Sequence, residues 1–157
     1  MKKTLLIILM VALSVYSSGY AYTESAEEAY TIVVNDKTIS LDDLPFPAYK
    51  DGETLMIPLR KIGEALGYKV EWNPENEAVT IDDEYIQKAT LFDGTAEAVF
   101  EGRLKVIDMS REIENEAPTA IRDGYTYVPL SFFKEFLNDT VIENGKIIIA
   151  PSKYELQ

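Results

Sequence analysis

The sequence predicts an α+β fold of two pseudo-repeated halves, each a small antiparallel sheet with hairpins and one short helix, sharing one core. Three observations carry this. First, residues 51–67, "DGETLMIPLRKIGEALG", and residues 122–139, "RDGYTYVPLSFFKEFLND", spell one phrase twice. With a shift of 71, Leu59, Ile62 and Leu66 fall on Leu130, Phe133 and Leu137. Both trios have the i, i+3, i+7 spacing that lines one helix face. Second, hairpin-like strands flank both phrases. Third, neither half, at about 60–75 residues, buries a helix and a sheet comfortably alone.

The elements follow in chain order. Residues 1–21, "MKKTLLIILMVALSVYSSGYA", place two lysines before an apolar run and a small-x-small ending, the layout of a secretory signal peptide. Its apolar core is too short to span a bilayer. Residues 22–30 form an acidic N-terminal segment, and the domain is expected over 31–150, with halves of about 31–82 and 83–150 and a tail at 151–157. "TIVVNDKTISL" reads as a hairpin turning at Asn35-Asp36. Pro45 and Pro47 then break the chain before the Asp51-Gly52 turn. Pro58 stands where a first helical turn needs no N–H, and Gly67 suits a left-handed C-cap. "YKVEWNPENEAVTI" is a hairpin around Asn73-Pro74. "AVFEGRLKVI", residues 98–107, reads as another, turning at Glu101-Gly102, and Pro118 breaks the chain before the second phrase. There Pro129 and Asn138 take the places of Pro58 and Gly67. "DTVIENGKIIIA" closes the domain with Asn144-Gly145, the preferred type I′ turn. Five residues separate Gly52 from Pro58 and four separate Gly124 from Pro129, so a bulge in the first copy is expected. The expected core sets both helix trios against Val70, Val79, Ile81, Val141 and Ile148.

Composition removes whole classes of chemistry. The chain has no cysteine and no histidine, so it forms no disulfide, has no imidazole base and lacks the usual zinc and copper ligands. The charge is −12 over 157 residues, and −14 once Lys2 and Lys3 leave with the signal peptide. Such acidity disfavours nucleic acid and anionic lipid. No second apolar span follows the signal segment.

The first phrase and the hairpin after it, "MIPLRKIGEALGYKVEWNPENEAVTI", resemble the copper amine oxidase N-terminal-like (stalk) domain of secreted and surface bacterial proteins. The resemblance rests on the glycine turn, the Pro-Leu-Arg start at Pro58, Leu59 and Arg60, the Glu-Ala-Leu-Gly helix end and the Val-x-Trp hairpin. It covers about residues 31–150. The second copy keeps Val128, Pro129 and Leu130 but has Ser131 for the arginine and Asn138 for the glycine. In the amine oxidases this domain is an appendage remote from the copper and the quinone. The resemblance therefore implies a module without catalysis, and no copper or quinone site carries over.

Candidate contact residues are few. Arg60 could recognise a carboxylate or a sugar, although a helical ion pair with Glu64 is the simpler reading. Trp72 shares a strand face with Tyr68 and Val70. All three are expected in the core, because Val70 maps onto Val141, with a stacking platform as the functional alternative. Tyr125 and Tyr127, before Pro129, complete the set. Acidic runs at Asp42-Asp43, 82–84 and 111–116 suggest calcium only weakly, since no EF-hand loop is present. Ser131 and Lys134 make a Ser-x-x-Lys without its companion motifs.

The expected function is a non-catalytic extracellular binding or structural module on cell-wall polymer or another surface protein, secreted, with no cofactor. Two alternatives are a calcium-dependent adhesion protein and a glycan hydrolase using a carboxylate pair. No motif specifies an oligomeric state.

Overall fold

Tight turns set most of the architecture. The computed structural model describes residues 30–152; the signal-peptide reading and most of the N-terminal segment and tail lie outside them. β1 (Thr31–Val34) and β2 (Lys37–Ile39) meet at Asn35-Asp36, both with positive φ (49° and 62°), the type I′ geometry that suits a twisted hairpin. β3 (Tyr49–Asp51) and β4 (Thr54–Pro58) form a second hairpin, and β4 runs directly into α1 (Leu59–Ala65). Gly67, at φ 88°, ends that helix turn as expected. β5 (Lys69–Asn73) and β6 (Ala78–Asp82) follow, then β7 (Gln87–Phe92), β8 (Glu97–Gly102) and β9 (Arg111–Glu114). β10 (Ala120–Arg122) and β11 (Tyr125–Pro129) lead into α2 (Phe132–Glu135), and β12 (Asn138–Glu143) and β13 (Lys146–Ser152) end the domain.

The strands form three sheets, ordered β12-β13-β1-β2, β10-β11-β4-β3 and β5-β6-β7-β8-β9. Over the described residues the chain is mostly β with two short helices, consistent with α+β. The expectation that each half owns a sheet is overturned, because every sheet joins strands from both halves. In the central one, Met56 pairs with Pro129, Ile57 with Val128 and Pro58 with Tyr127. Exchanging the copies by the shift of 71 maps this register onto itself. The outer sheets break that equivalence. β1 lies parallel to β13, whereas β7 lies antiparallel to β6. A connection of four residues, 83–86, forces the second arrangement, while β1 and β13 sit far apart in sequence and are under no such constraint.

Four local expectations also change. Residues 98–107 are not a hairpin. β8 runs through Gly102, burying Ala98 and Phe100 by alternation, and the turn before it is Asp93-Gly94, with Gly94 at φ 71°. The expected bulge is absent, because β4 and β11 are both five-residue strands in step. The extra residue is absorbed in the turns: Gly52 is the first residue of its two-residue turn and Gly124 the second.

Asn138 is not a left-handed cap. The four-residue α2 turns one residue early, at Leu137 (φ 63°), and Asn138 opens β12 fully inside the protein. That slip of one residue also reverses the expected alternation. Ile147 and Ile149 are buried, Ile148 and Leu137 are half-buried, and Val141 is 48% exposed. The remaining predicted core residues, Leu59, Ile62, Leu66, Leu130, Phe133, Val70, Val79 and Ile81, are all buried. Phe132, Phe136 and Phe100 pack with them as a ring cluster, centroids 5.5–6.0 Å apart.

Candidate functional site

A groove of about 490 Å3 opens between α1, the β5–β6 hairpin and the β10–β11 turn. It brings together three of the five predicted contact residues. Arg60 comes from the first turn of α1, Trp72 from β5 and Tyr125 from the start of β11, with Lys61 and Glu64 beside them. The pyramid of local causes is short. Pro58 starts the helix, so residues 60, 61 and 64 fall on its outer side, while Leu59 and Ile62 point into the core.

Trp72 departs from the core position expected for it, being 45% exposed. Tyr68 and Val70 on the same strand face are buried, but β5 is the outer strand of its sheet. By residue 72 the face has passed beyond the helix that covers it. Tyr125 is 37% exposed at its turn.

Tyr68 and Tyr127 are interior residues, placed out of reach of a ligand. The Tyr68 hydroxyl donates to Asn138 Oδ1 at 3.1 Å, and Asn138 Nδ2 donates to the Ala150 carbonyl at 3.0 Å. The Tyr127 hydroxyl donates to the Phe46 carbonyl at 2.6 Å, its ring set edge-on to Tyr49. Burial raises the phenol pKa of both Tyr49 and Tyr127 above the usual tyrosine value.

Arg60 makes the expected pair with Glu64 at 3.3 Å, and the same Nη1 donates to the Val70 carbonyl at 2.5 Å. That second bond was not legible in the sequence, because it joins a helix to a strand whose approach depends on Gly63. Lys61, also missed, pairs with Asp43 at 2.7 Å. Their hydrogen bond is the main cause of a raised lysine and a lowered aspartate pKa, and Tyr125 and Glu64 add smaller upward contributions at Lys61. The adjacency of Arg60 and Lys61 was the available signal.

The acidic runs are engaged locally. Asp83 Oδ1 accepts from the amides of Tyr85, Ile86 and Gln87 at 2.7–3.0 Å, and Asp82 pairs with Arg103 while capping the Glu84 amide. Asp108, like Asp43, is held below the usual carboxylate range, here by the amide and hydroxyl of Ser110. That is the opposite direction from a general acid. Ser131 donates to Glu116 at 2.8 Å. Copper does not fit this donor set. The chain has no histidine or cysteine, and among the described residues no group of three acids is arranged to hold a metal ion. Among those residues, too, no helix is long and apolar enough to cross a membrane.

Comparison with known proteins adds three findings. The model of the copper amine oxidase N-terminal domain matches residues 33–149. A protein of Brevibacillus choshinensis named "Protease inhibitor" is 32% identical over 92 residues, which make up 59% of this chain and 26% of that protein. The chain thus spans about a quarter of the length of this curated relative. No solved structure matches.

Proposed function

The chain belongs to the copper amine oxidase N-terminal domain family, and on that premise we propose that it is a non-catalytic, exported binding module that attaches to cell-wall polymer through the Arg60–Trp72–Tyr125 groove. The observation that supports this best is Trp72 itself. A half-exposed indole is a costly thing to leave in water, at about 25 cal/mol per Å2 of apolar surface. Here it faces a groove with a second aromatic ring and two cations, the composition of a recognition site. The finer reading of the fold, that the two helix-bearing segments are pseudo-repeats, belongs to the same proposal. Its support is the self-mapping register of β4 and β11. In that reading the second copy keeps the fold signal, while Ser131 in place of arginine leaves it without the groove's chemistry.

A second reading is inhibition of an extracellular protease. It is favoured by the name of the Brevibacillus choshinensis relative and by the loop at residues 103–110. That loop holds Val106 87% exposed between anchored ends, the Arg103 amide on the Ile86 carbonyl and the Gly102 amide on the Ser110 hydroxyl.

One preparation tests both. The purified chain is co-sedimented with cell-wall sacculi and assayed against a panel of secreted proteases. Retention on sacculi that falls in a folded Trp72→Ala variant is the expected result. A chain that stays in the supernatant at low and moderate salt removes wall attachment. Inhibition insensitive to Trp72 but lost when residues 104–107 are replaced by Gly-Ser would transfer the function to the loop.

A further inference from the structure

The groove gathers two cations on an acidic molecule. Arg60 and Lys61 both line it, Arg60 paired with Glu64 inside the groove and Lys61 with Asp43 beside it, on a chain of net charge −12. Both contacts of Arg60 use Nη1. Nη2 and Nε, the pair that holds the two oxygens of a carboxylate side by side, therefore make no hydrogen bond among the described residues. The side chain is half-exposed, so this edge remains open to a ligand. Trp72 and Tyr125, which also line the groove, carry flat apolar rings of the kind that pack against the C–H face of a sugar ring.

A peptide occupant is disfavoured by the same geometry. The usual way for a peptide to join an outer strand is to extend the sheet through its free backbone groups. β5 is such a strand, but the Val70 carbonyl is already taken by Arg60. What the groove presents is side chains. Its volume of about 490 Å3 lies within the range of small-ligand sites, ~300–1,000 Å3.

We propose that the groove binds a carboxylate-bearing glycan strand of the cell-wall polymer, Trp72 and Tyr125 packing on sugar rings while Arg60, with Lys61 adding charge, holds a carboxylate. This rests on the wall-binding reading and narrows it to acidic sugars. Trp72 is the single tryptophan of the chain, so its fluorescence reports occupancy of this site directly.

The test titrates the full chain with two oligosaccharides of equal length, an oligogalacturonate and a neutral N-acetylglucosamine oligomer, alongside sacculus retention. The uronate should shift Trp72 emission and bind about tenfold or more tighter than the neutral oligomer, a preference that weakens with salt. Arg60→Gln should abolish the preference, bringing the affinity for the uronate down to that for the neutral oligomer, and Lys61→Gln should reduce it in part. Unchanged melting curves of both variants separate this from misfolding. Retention on sacculi with equal or no binding of the two oligomers would overturn the acidic-sugar inference and leave wall attachment standing. Loss of both sacculus and oligomer binding would overturn the two together.

Discussion

Asn138 and Tyr68 show how a single polar pair can hold a position that backbone preference disfavours. Leu137 adopts a left-handed conformation, which costs a residue with a Cβ about 1–2 kcal/mol. The next residue, Asn138, is fully inside the protein and uses both ends of its amide, accepting from Tyr68 and donating to the Ala150 carbonyl. These bonds fix the start of β12 and offset the strain beside it. Tyr68→Phe should therefore lower stability by about 1–2 kcal/mol, because Asn138 Oδ1 loses a buried donor. Asn138→Ala should cost more, since it removes both hydrogen bonds of the amide, the one from the Tyr68 hydroxyl and the one to the Ala150 carbonyl. Urea denaturation of the two variants checks the order. A Tyr68→Phe protein as stable as the parent would show that the bond contributes nothing net.

At the scale of elements, the closest approach is that of α1 to the β5–β6 hairpin at Gly63. A Cβ there would stand 2.9 Å from Val70 Cγ2 and 3.1 Å from Ile81 Cδ1. Alanine improves helix propensity by about 1 kcal/mol, but overpacking a core costs about 1–3 kcal/mol, and the branched Val70 has little room to turn away. Gly63→Ala should lower Tm by a few degrees, and most of that loss should vanish in a Val70→Ala background, where the clashing methyl is gone. A melting temperature that rises in the single variant would mean the helix rides higher on the sheet than 2.9 Å implies.

This approach also marks what was legible in the sequence. Asn35-Asp36 and Asn144-Gly145 were readable because turn chemistry is local: these residues tolerate positive φ wherever they stand. Glu101-Gly102 misled for the same reason. Gly102 is a strand residue, packed within 2.8–3.2 Å of Met109 at the position of a Cβ, and not a turn. Alternation with Tyr68 and Val70 predicts a core position for Trp72 that the structure does not give it. Alternation reports a face, but not where the covering helix ends. Of the groove, Arg60, Trp72 and Tyr125 could be nominated by residue type. That they meet, and that Tyr68 and Tyr127 do not join them, depends on pairings between distant strands.

The whole molecule is held by pairings that cross the midpoint of the chain, two between distant strands and one between neighbours. β4 finds its central partner in β11, β1 in β13 and β6 in β7, so each sheet crosses the boundary between residues 82 and 83. One hydrophobic cluster likewise draws on Ile32, Ile57 and Ile62 from one side and Phe100, Val128 and Phe133 from the other. A chain divided at that boundary leaves each strand of those three pairs with one of its two partners and the core half-covered. Neither piece, at about 50–70 residues, buries enough surface to offset its ordering entropy. Fragments 30–82 and 83–152 should each lack a cooperative melting transition by circular dichroism, and an equimolar mixture should regain one together with the β signal. Reassembly should be slow and concentration-dependent, because the pairing that completes each sheet is intermolecular. A fragment that melts cooperatively alone would mean that a half carries its own core, and that the shared sheets join two domains able to stand apart. The groove supplies a sharper form of the same test. Arg60 and Trp72 lie on one fragment and Tyr125 on the other, so the emission of Trp72 in the mixture should return to that of the intact chain only when the β10–β11 turn has docked beside α1.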